Sequence, residues 1–453
     1  MRTYYSKKEI MKKRYIYILL AVSVLAVLSF TIIRYSRKAE TYYQLKDRKG
    51  SLAQTQEWVN TSKKATELLN KVKLNPQDNK SLLALSALFI QESRITGDHV
   101  YYDMAAMKYV NAALKNDTAN FEALLYKSLL FLSQHHFADG LTTATAAQKI
   151  NPYNAFVYGI LVDANVELGN YASAVDNSDK MVSIRPDIRS YSRISYLREI
   201  HGDYPGAIEA MKMAVQAGLP GDESTEWARV QLGHLYENTG EISNAQMQYM
   251  IALDERPGYA YALAGQGRIA TAMKNYSKAI TLYLQADSVV NDYAFKEELV
   301  DLYRIQKMDR EADHIAEIVI DEMSKDAKSG QSNENIGHYA DRELALAYLK
   351  VGKNEKALEH AQLEYNRRPD NIDVNETVAW VYFKMGDYQK ALPYVEAAMR
   401  TNSKNPTLLC RAGLIYSKTG NKEKAKILLQ QGLEKQPNIS EELKQLAIKE
   451  LNS

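Results

Sequence analysis

A spacing of 34 residues recurs along most of this 453-residue chain, and it limits the fold more than any other feature. In residues 226–259, Leu232-Gly233 and Tyr236 are followed by Ala245, Tyr249, Ala252 and Pro257. Residues 406–439 repeat this with Ala412-Gly413, Tyr416, Ala425, Leu429, Gly432 and Pro437. Residues 338–371 give Leu344-Ala345, Tyr348, Ala357, Ala361 and Pro369, and residues 372–405 give Val378-Ala379, Tyr382, Ala391, Val395 and Ala398. Residues 121–154, 155–188 and 260–293 keep part of the pattern. Looser copies occupy 45–78, 79–120, 189–225 and 294–337, the second with extra residues near 95–102 and the last with a polar excursion at 324–335. Small residues at the eighth and twentieth positions let two helices approach, and large ones at the seventh, eleventh and twenty-fourth fill the space between. Pro76, Pro152, Pro186, Pro257, Pro369 and Pro437 all fall just past a second helix, where proline stops helical growth. Gly (21) and Pro (10) are scarce against average usage of about 12%, which disfavours folds built from many short strands.

The pattern resembles the tetratricopeptide repeat (TPR), two antiparallel helices with small residues where they cross. That resemblance implies an all-α chain: a TPR-type α-α superhelical solenoid of about eleven helix pairs over residues 45–439, preceded by one transmembrane helix. Residues 440–453 read as a polar capping helix, with Ser440 at its start and Glu441 and Glu442 in its first turn. In the family the first helix of each pair lines a concave groove, through its second, fifth, ninth, twelfth and thirteenth positions. The second positions here are Phe156, Trp227, Tyr261, Phe295 and Tyr339, and ninth positions add His234, Arg268 and Trp380. These eight are the candidate contacts to a protein or peptide partner, since exposed aromatics and Arg make binding hot spots. The competing reading is that the aromatics pack against the neighbouring unit. If they bind, Tyr261→Ala and Phe295→Ala weaken capture and leave the melting transition nearly unchanged. A clamp for acidic C-terminal tails is disfavoured, because Arg268 and Arg342 are isolated and lie next to Glu237 and Glu376.

Residues 15–33 carry no charge, and 19 helical residues reach roughly 28 Å, close to the hydrocarbon thickness of a bilayer. Neither a small-residue cleavage site nor a cysteine for lipid follows, so the stretch reads as an uncleaved anchor. A basic tail (1–14) and a basic linker (34–44) flank it. Six Lys and Arg precede the span; Arg34, Arg37, Lys38, Lys46, Arg48 and Lys49 follow it, a tie in the charge rule for orientation. The single cysteine, Cys410, leans the solenoid toward an oxidising compartment, outside the cytoplasm. The layout is similar to the lipopolysaccharide-assembly adaptor of bacterial inner membranes. That family ends in a cysteine-rich metal module, so the match stops there.

Residues 1–50 hold twelve Lys and Arg against three Asp and Glu. With a total of +2, the remaining chain stands at −7. The basic balance lies at the membrane flanks, and the acidic array argues against nucleic acid as a partner. No phosphate loop, metalloprotease or nucleophile-elbow motif occurs. His135-His136 read as exposed turn residues and Cys410 as a small semi-buried hydrophobe. No enzyme activity, cofactor, metal or small-molecule substrate is expected. The expected function is a single-pass membrane scaffold of a bacterial inner membrane, serving envelope assembly, export or quality control. The alternative is an accessory or sensor subunit of a membrane enzyme or secretion complex.

Overall fold

The computed structural model describes residues 42–329, 337–435 and 438–453, together with residues 19, 22–25 and 27. The chain divides into residues 1–44 and residues 45–453. In the first unit the described residues between 19 and 27 are helical, and Leu19, Val22, Val24, Leu25 and Val27 are exposed. The rest of the expected span at 15–33 lies outside the described residues, as do the linker residues 34–41 and Pro437. Among the described residues no helix is long and apolar enough to cross a membrane.

The second unit is all helix, with no strand among the described residues. Ten antiparallel helix pairs run from Asn79–Thr96 with His99–Asn116 to Pro406–Lys418 with Lys422–Leu433. Single helices flank them, Gln56–Leu74 before and Glu441–Leu451 after. The count is therefore ten pairs rather than eleven. Residues 45–55 carry Gly50 and form an extended stretch and a short 3-10 turn instead of a first helix. The extra residues near 95–102 lengthen both helices of their pair, and helix Asp309–Ser329 runs into the polar excursion.

The repeat pattern becomes packing at the helix crossings. Ala174, Ala245, Ala279, Ala357 and Ala391, all at the twentieth position, are fully buried. Where the eighth position is Gly, the twenty-fourth is large. The Tyr249 ring lies on Gly233 and the Tyr283 ring on Gly267, where a Cβ would sit 2.8 Å from the ring. Both tyrosines are fully buried, so each pair's core is one aromatic seated on a bare backbone.

First helices touch from pair to pair in most of the array, whereas second helices meet each other at most in isolated contacts. The first helices thus form the inner rail of a curved solenoid. The curvature closes tightly enough for successive coils to touch. Residues 199–201 apart bond directly: Arg256 Nη1 to Glu57 at 2.9 Å, His136 Nε2 to the Gly337 carbonyl at 2.9 Å, Ile372 N to Tyr171 Oη at 2.9 Å, and Asn438 Nδ2 to Glu237 at 2.7 Å. One coil holds about six pairs. At the His136 and Tyr171 contacts the turn inside a first-coil pair meets the junction between two second-coil pairs.

This docking corrects two expectations. His136 is buried, and His135 Nδ1 donates to the Tyr339 carbonyl at 2.8 Å, so the histidine pair is a coil-to-coil contact and not an exposed turn. Lys46 pairs with Asp98 at 2.6 Å, and Arg48 is buried against Glu92. Both cations belong to the solenoid rather than to a lipid-facing flank.

Candidate partner groove

Seven of the eight candidate residues sit on first helices and Tyr339 lies just before one, and the structure uses the eight unequally. Tyr261 and Phe295 stack edge to face with centroids 5.7 Å apart, the one rung of the expected ladder formed as a ring contact. Phe295 is only 3% exposed, because its ring closes the core between two pairs. Trp380 is buried between the Phe383 ring (4.8 Å) and the Arg411 guanidinium (4.7 Å). Tyr339 serves the coil contact, with its ring 3.8 Å from that of His136 and its N–H donating to the Gln134 carbonyl at 3.1 Å. Phe156 and Trp227 are half-buried, and the Arg189 guanidinium covers the Phe156 ring at 4.9 Å. Phe295→Ala is therefore expected to lower unfolding stability by about 3–4 kcal/mol, because it empties a packed site. Tyr261→Ala, at a half-buried ring, costs less. Urea midpoints of the two variants check the order.

His234 and Arg268 belong to one network. Arg268 Nε donates to Glu237 at 3.1 Å, and its Nη2 donates to Tyr249 Oη at 3.1 Å and to His234 Nε2. Tyr249 Oη donates to Glu237. Burial works against the Arg268 charge, but Glu237 together with Tyr249, Tyr283 and Glu298 more than offsets it and keeps the guanidinium protonated. Burial and the same Arg hold His234 neutral, far below its usual range. The neighbourhood of Glu237 that disfavoured a clamp is a direct ion pair.

What the aromatic search passed over is a set of acids on the same rail. Glu167, Glu237, Glu298 and Glu376 occupy the fifth, twelfth or thirteenth positions of their units, and Glu199 the eleventh of its own. The same register therefore points to the first four, once charge is followed instead of ring size. Glu199, Glu297 and Glu298 form no ion pair among the described residues; Asn238 Nδ2 donates to Glu199 at 3.2 Å. Burial pushes the Glu199 carboxyl up to about 7. It does the same to Glu297, where Lys350 counteracts only in part. Glu298 and Glu167 are raised for the same reason. A cavity of about 350 Å3 opens beside Glu167, lined by Leu129, Asp163, Arg342, Glu343, Arg368 and Asp373 among others. Most of these come from first helices on two stacked coils, so the cavity lies where the coils meet. No group of three or more metal-ligating side chains occurs among the described residues. Cys410 is buried, and burial pushes its thiol up to about 11, which leaves it a packing residue.

A tetratricopeptide repeat family model matches residues 382–447. No curated protein sequence matches the chain. Among solved structures, the chain is similar to a thermophilic TPR protein of Thermus thermophilus, at 20% identity over 43% of this chain and 99% of that one, with a TM-score of 0.38. It is similar to a tetratricopeptide repeat protein from Parabacteroides merdae, at 20% identity over 59% of this chain and 99% of that one, TM-score 0.33. It is also similar to the human IFIT1 dimer with PPP-AAAA, at 14% identity over 77% and 80%, TM-score 0.47. Residues 382–447 thus match a tetratricopeptide repeat, and the other helix pairs share its antiparallel build and small-residue crossings.

Proposed function

We propose that this protein is a membrane-tethered adaptor whose lumen captures an extended, basic segment of a partner protein. The observation that carries this reading is a group of carboxyls on first helices that form no salt bridge and whose charge nearby cations offset only in part: Glu199, Glu297 and Glu298. Burying like charges beside one another costs energy, and a threaded row of Lys and Arg relieves it. The uncharged run at 15–33 supports the tether, and its described part presents only apolar exposed side chains apart from Ser23. Envelope assembly, export or quality control at a bacterial inner membrane, with the array outside the cytoplasm, is the setting this layout suits. A C-terminal reporter active only outside the cytoplasm tests the orientation, and silence there reverses it.

Capture is tested by fluorescence anisotropy with labelled Lys/Arg-rich and Glu/Asp-rich peptides of equal length. The basic peptide is expected to bind, and Glu297→Gln with Glu298→Gln to weaken it about tenfold, roughly 1.4 kcal/mol. Added salt weakens it as well. The pH dependence follows from the raised carboxyls. Their folded range lies above the unfolded one, so they favour the folded state at low pH, and that contribution is lost as pH rises from about 4.5 through about 7. Without peptide, thermal stability therefore falls between pH 5 and 8. A cationic ligand prefers the ionised carboxylates, so affinity rises over pH 6–8. Equal affinity for both peptides, or affinity that falls with pH, would sink the proposal.

A further inference from the structure

Each coil of the solenoid has two rims. Turns inside the helix pairs lie on one rim, and junctions between pairs lie on the other. The chain itself shows how the rims mate, because second-coil junctions dock on first-coil turns. The turns at Gly97, Gly169, Gly202 and Gly240 are closed over by the backbone carbonyls of Asn291, Asp370, Asn402 and Lys435. Apolar junction side chains make the seat: Val290 against Gly97, the Tyr339 ring on His136, and Ile372 beside Tyr171.

Among the described residues no further coil covers the turns of the second coil. The corresponding turns at Gly352, Gly386 and Gly420 have nothing within 4 Å of where a Cβ would stand. On this open turn rim Met273 and Met308, each in an intra-pair turn, are exposed. At the other end, the first-coil junctions have no coil beneath them. There Leu74 (87%), Tyr153 (83%) and Leu219 (69%) are the most exposed large hydrophobics of residues 45–453, and all three sit at or beside inter-pair junctions. Apolar side chains thus line both open rims, and the mating geometry between such rims already exists inside the chain. Exposed apolar groups gathered along an edge mark an interaction site.

We propose that the open turn rim of one copy docks on the open junction rim of a second copy, continuing the coil-on-coil interface from chain to chain. The contact is head to tail, so one copy uses different surfaces at its two ends and the assembly grows as an open stack. It does not involve the lumen carboxyls, so it stands or falls apart from peptide capture.

The test uses the full chain in detergent, with mass measured by sedimentation over a concentration series. Two double variants each blunt one rim: Tyr153→Asp with Leu219→Asp, and Met273→Asp with Met308→Asp. All four residues are exposed, so helical content and melting temperature are expected to match the parent. The parent mass rises beyond that of a dimer as concentration increases. Each double variant alone stays monomeric. An equimolar mixture of the two gives a one-to-one dimer and nothing larger, because one intact rim of each kind remains. A parent that stays monomeric at every concentration overturns the proposal. So does association that survives in either double variant, or a mixture that fails to pair, which would mean the two rims are not each other's partners.

Discussion

Gly240→Ala and Gly169→Ala are expected to cost about 3–4 kcal/mol each and to open the coil-to-coil contact, whereas Gly386→Ala costs only about 1 kcal/mol. All three glycines end the first helix of a pair at positive φ (74°, 79° and 83°), so the strain of adding a Cβ is shared and comes to about 1 kcal/mol. The difference is what lies beyond. At Gly240 the new methyl overlaps the Lys435 carbonyl, and at Gly169 it overlaps the Asp370 carbonyl. Those carbonyls cannot retreat without breaking their neighbours' bonds. Arg400 Nη2 holds Gly169 O at 2.6 Å, Asn371 Nδ2 holds Glu167 O at 3.0 Å, and Asn438 N holds Glu237 O at 3.2 Å. At Gly386 the methyl meets open space. Urea midpoints rank the three variants, and small-angle scattering of the Gly240→Ala protein shows a larger radius than the parent. Equal losses at all three sites would mean that the coils do not rest on these turns.

The same glycines show what a sequence can and cannot convey. The turns at Leu168-Gly169-Asn170 and Thr239-Gly240 are legible as helix ends, and so are the alanines at the crossings, because both follow from contacts within one unit. Which turn glycines are covered depends on how many pairs make a coil. That number comes from small rotations accumulated over about six units, and no single residue pattern encodes it. The misreading of His135-His136 has this cause, since their carbonyl partners lie two hundred residues on, at Tyr339 and Gly337. The groove was half legible. The register placed Phe156, Trp227, Tyr261, His234 and Arg268 on the inner rail, but aromatic rings serve cores as readily as ligands, and Phe295 and Trp380 are buried in packing. Most of the carboxyls stood in the same register. Their significance appears only when the folded array desolvates them, which no single unit's sequence encodes.

Arg48→Met is expected to cost about 3–5 kcal/mol, the usual penalty for stripping one partner from a buried ion pair. Arg48 reaches Glu92 through two parallel bonds, Nε at 2.8 Å and Nη2 at 2.6 Å, and neither side chain touches solvent. The same Nη2 donates to Glu57 at 2.8 Å, and Glu57 in turn accepts from Arg256 at 2.9 Å. Burial alone would favour the neutral guanidine, but Glu92 and Glu57 together hold Arg48 charged. Without it, Glu92 is left as an uncompensated carboxylate in a dry site. Glu92→Leu should cost a comparable amount by the converse loss. The Arg48→Met/Glu92→Leu double variant is expected to lose much less than the two single losses together, because removing both charges removes the unpaired one. In a repeat array the damage is local first. Amide exchange should therefore rise in helices Gln56–Leu74 and Asn79–Thr96, and next at Arg256, before the distal pairs respond. Single losses under about 1 kcal/mol would mean that water reaches Glu92. At the predicted size, the pair fixes the point where the chain leaving residues 1–44 enters the solenoid, and through Glu57 it ties that entry to the next coil. A force applied at Arg48 then reaches Arg256 through two ion pairs, without passing along the five helix pairs between them.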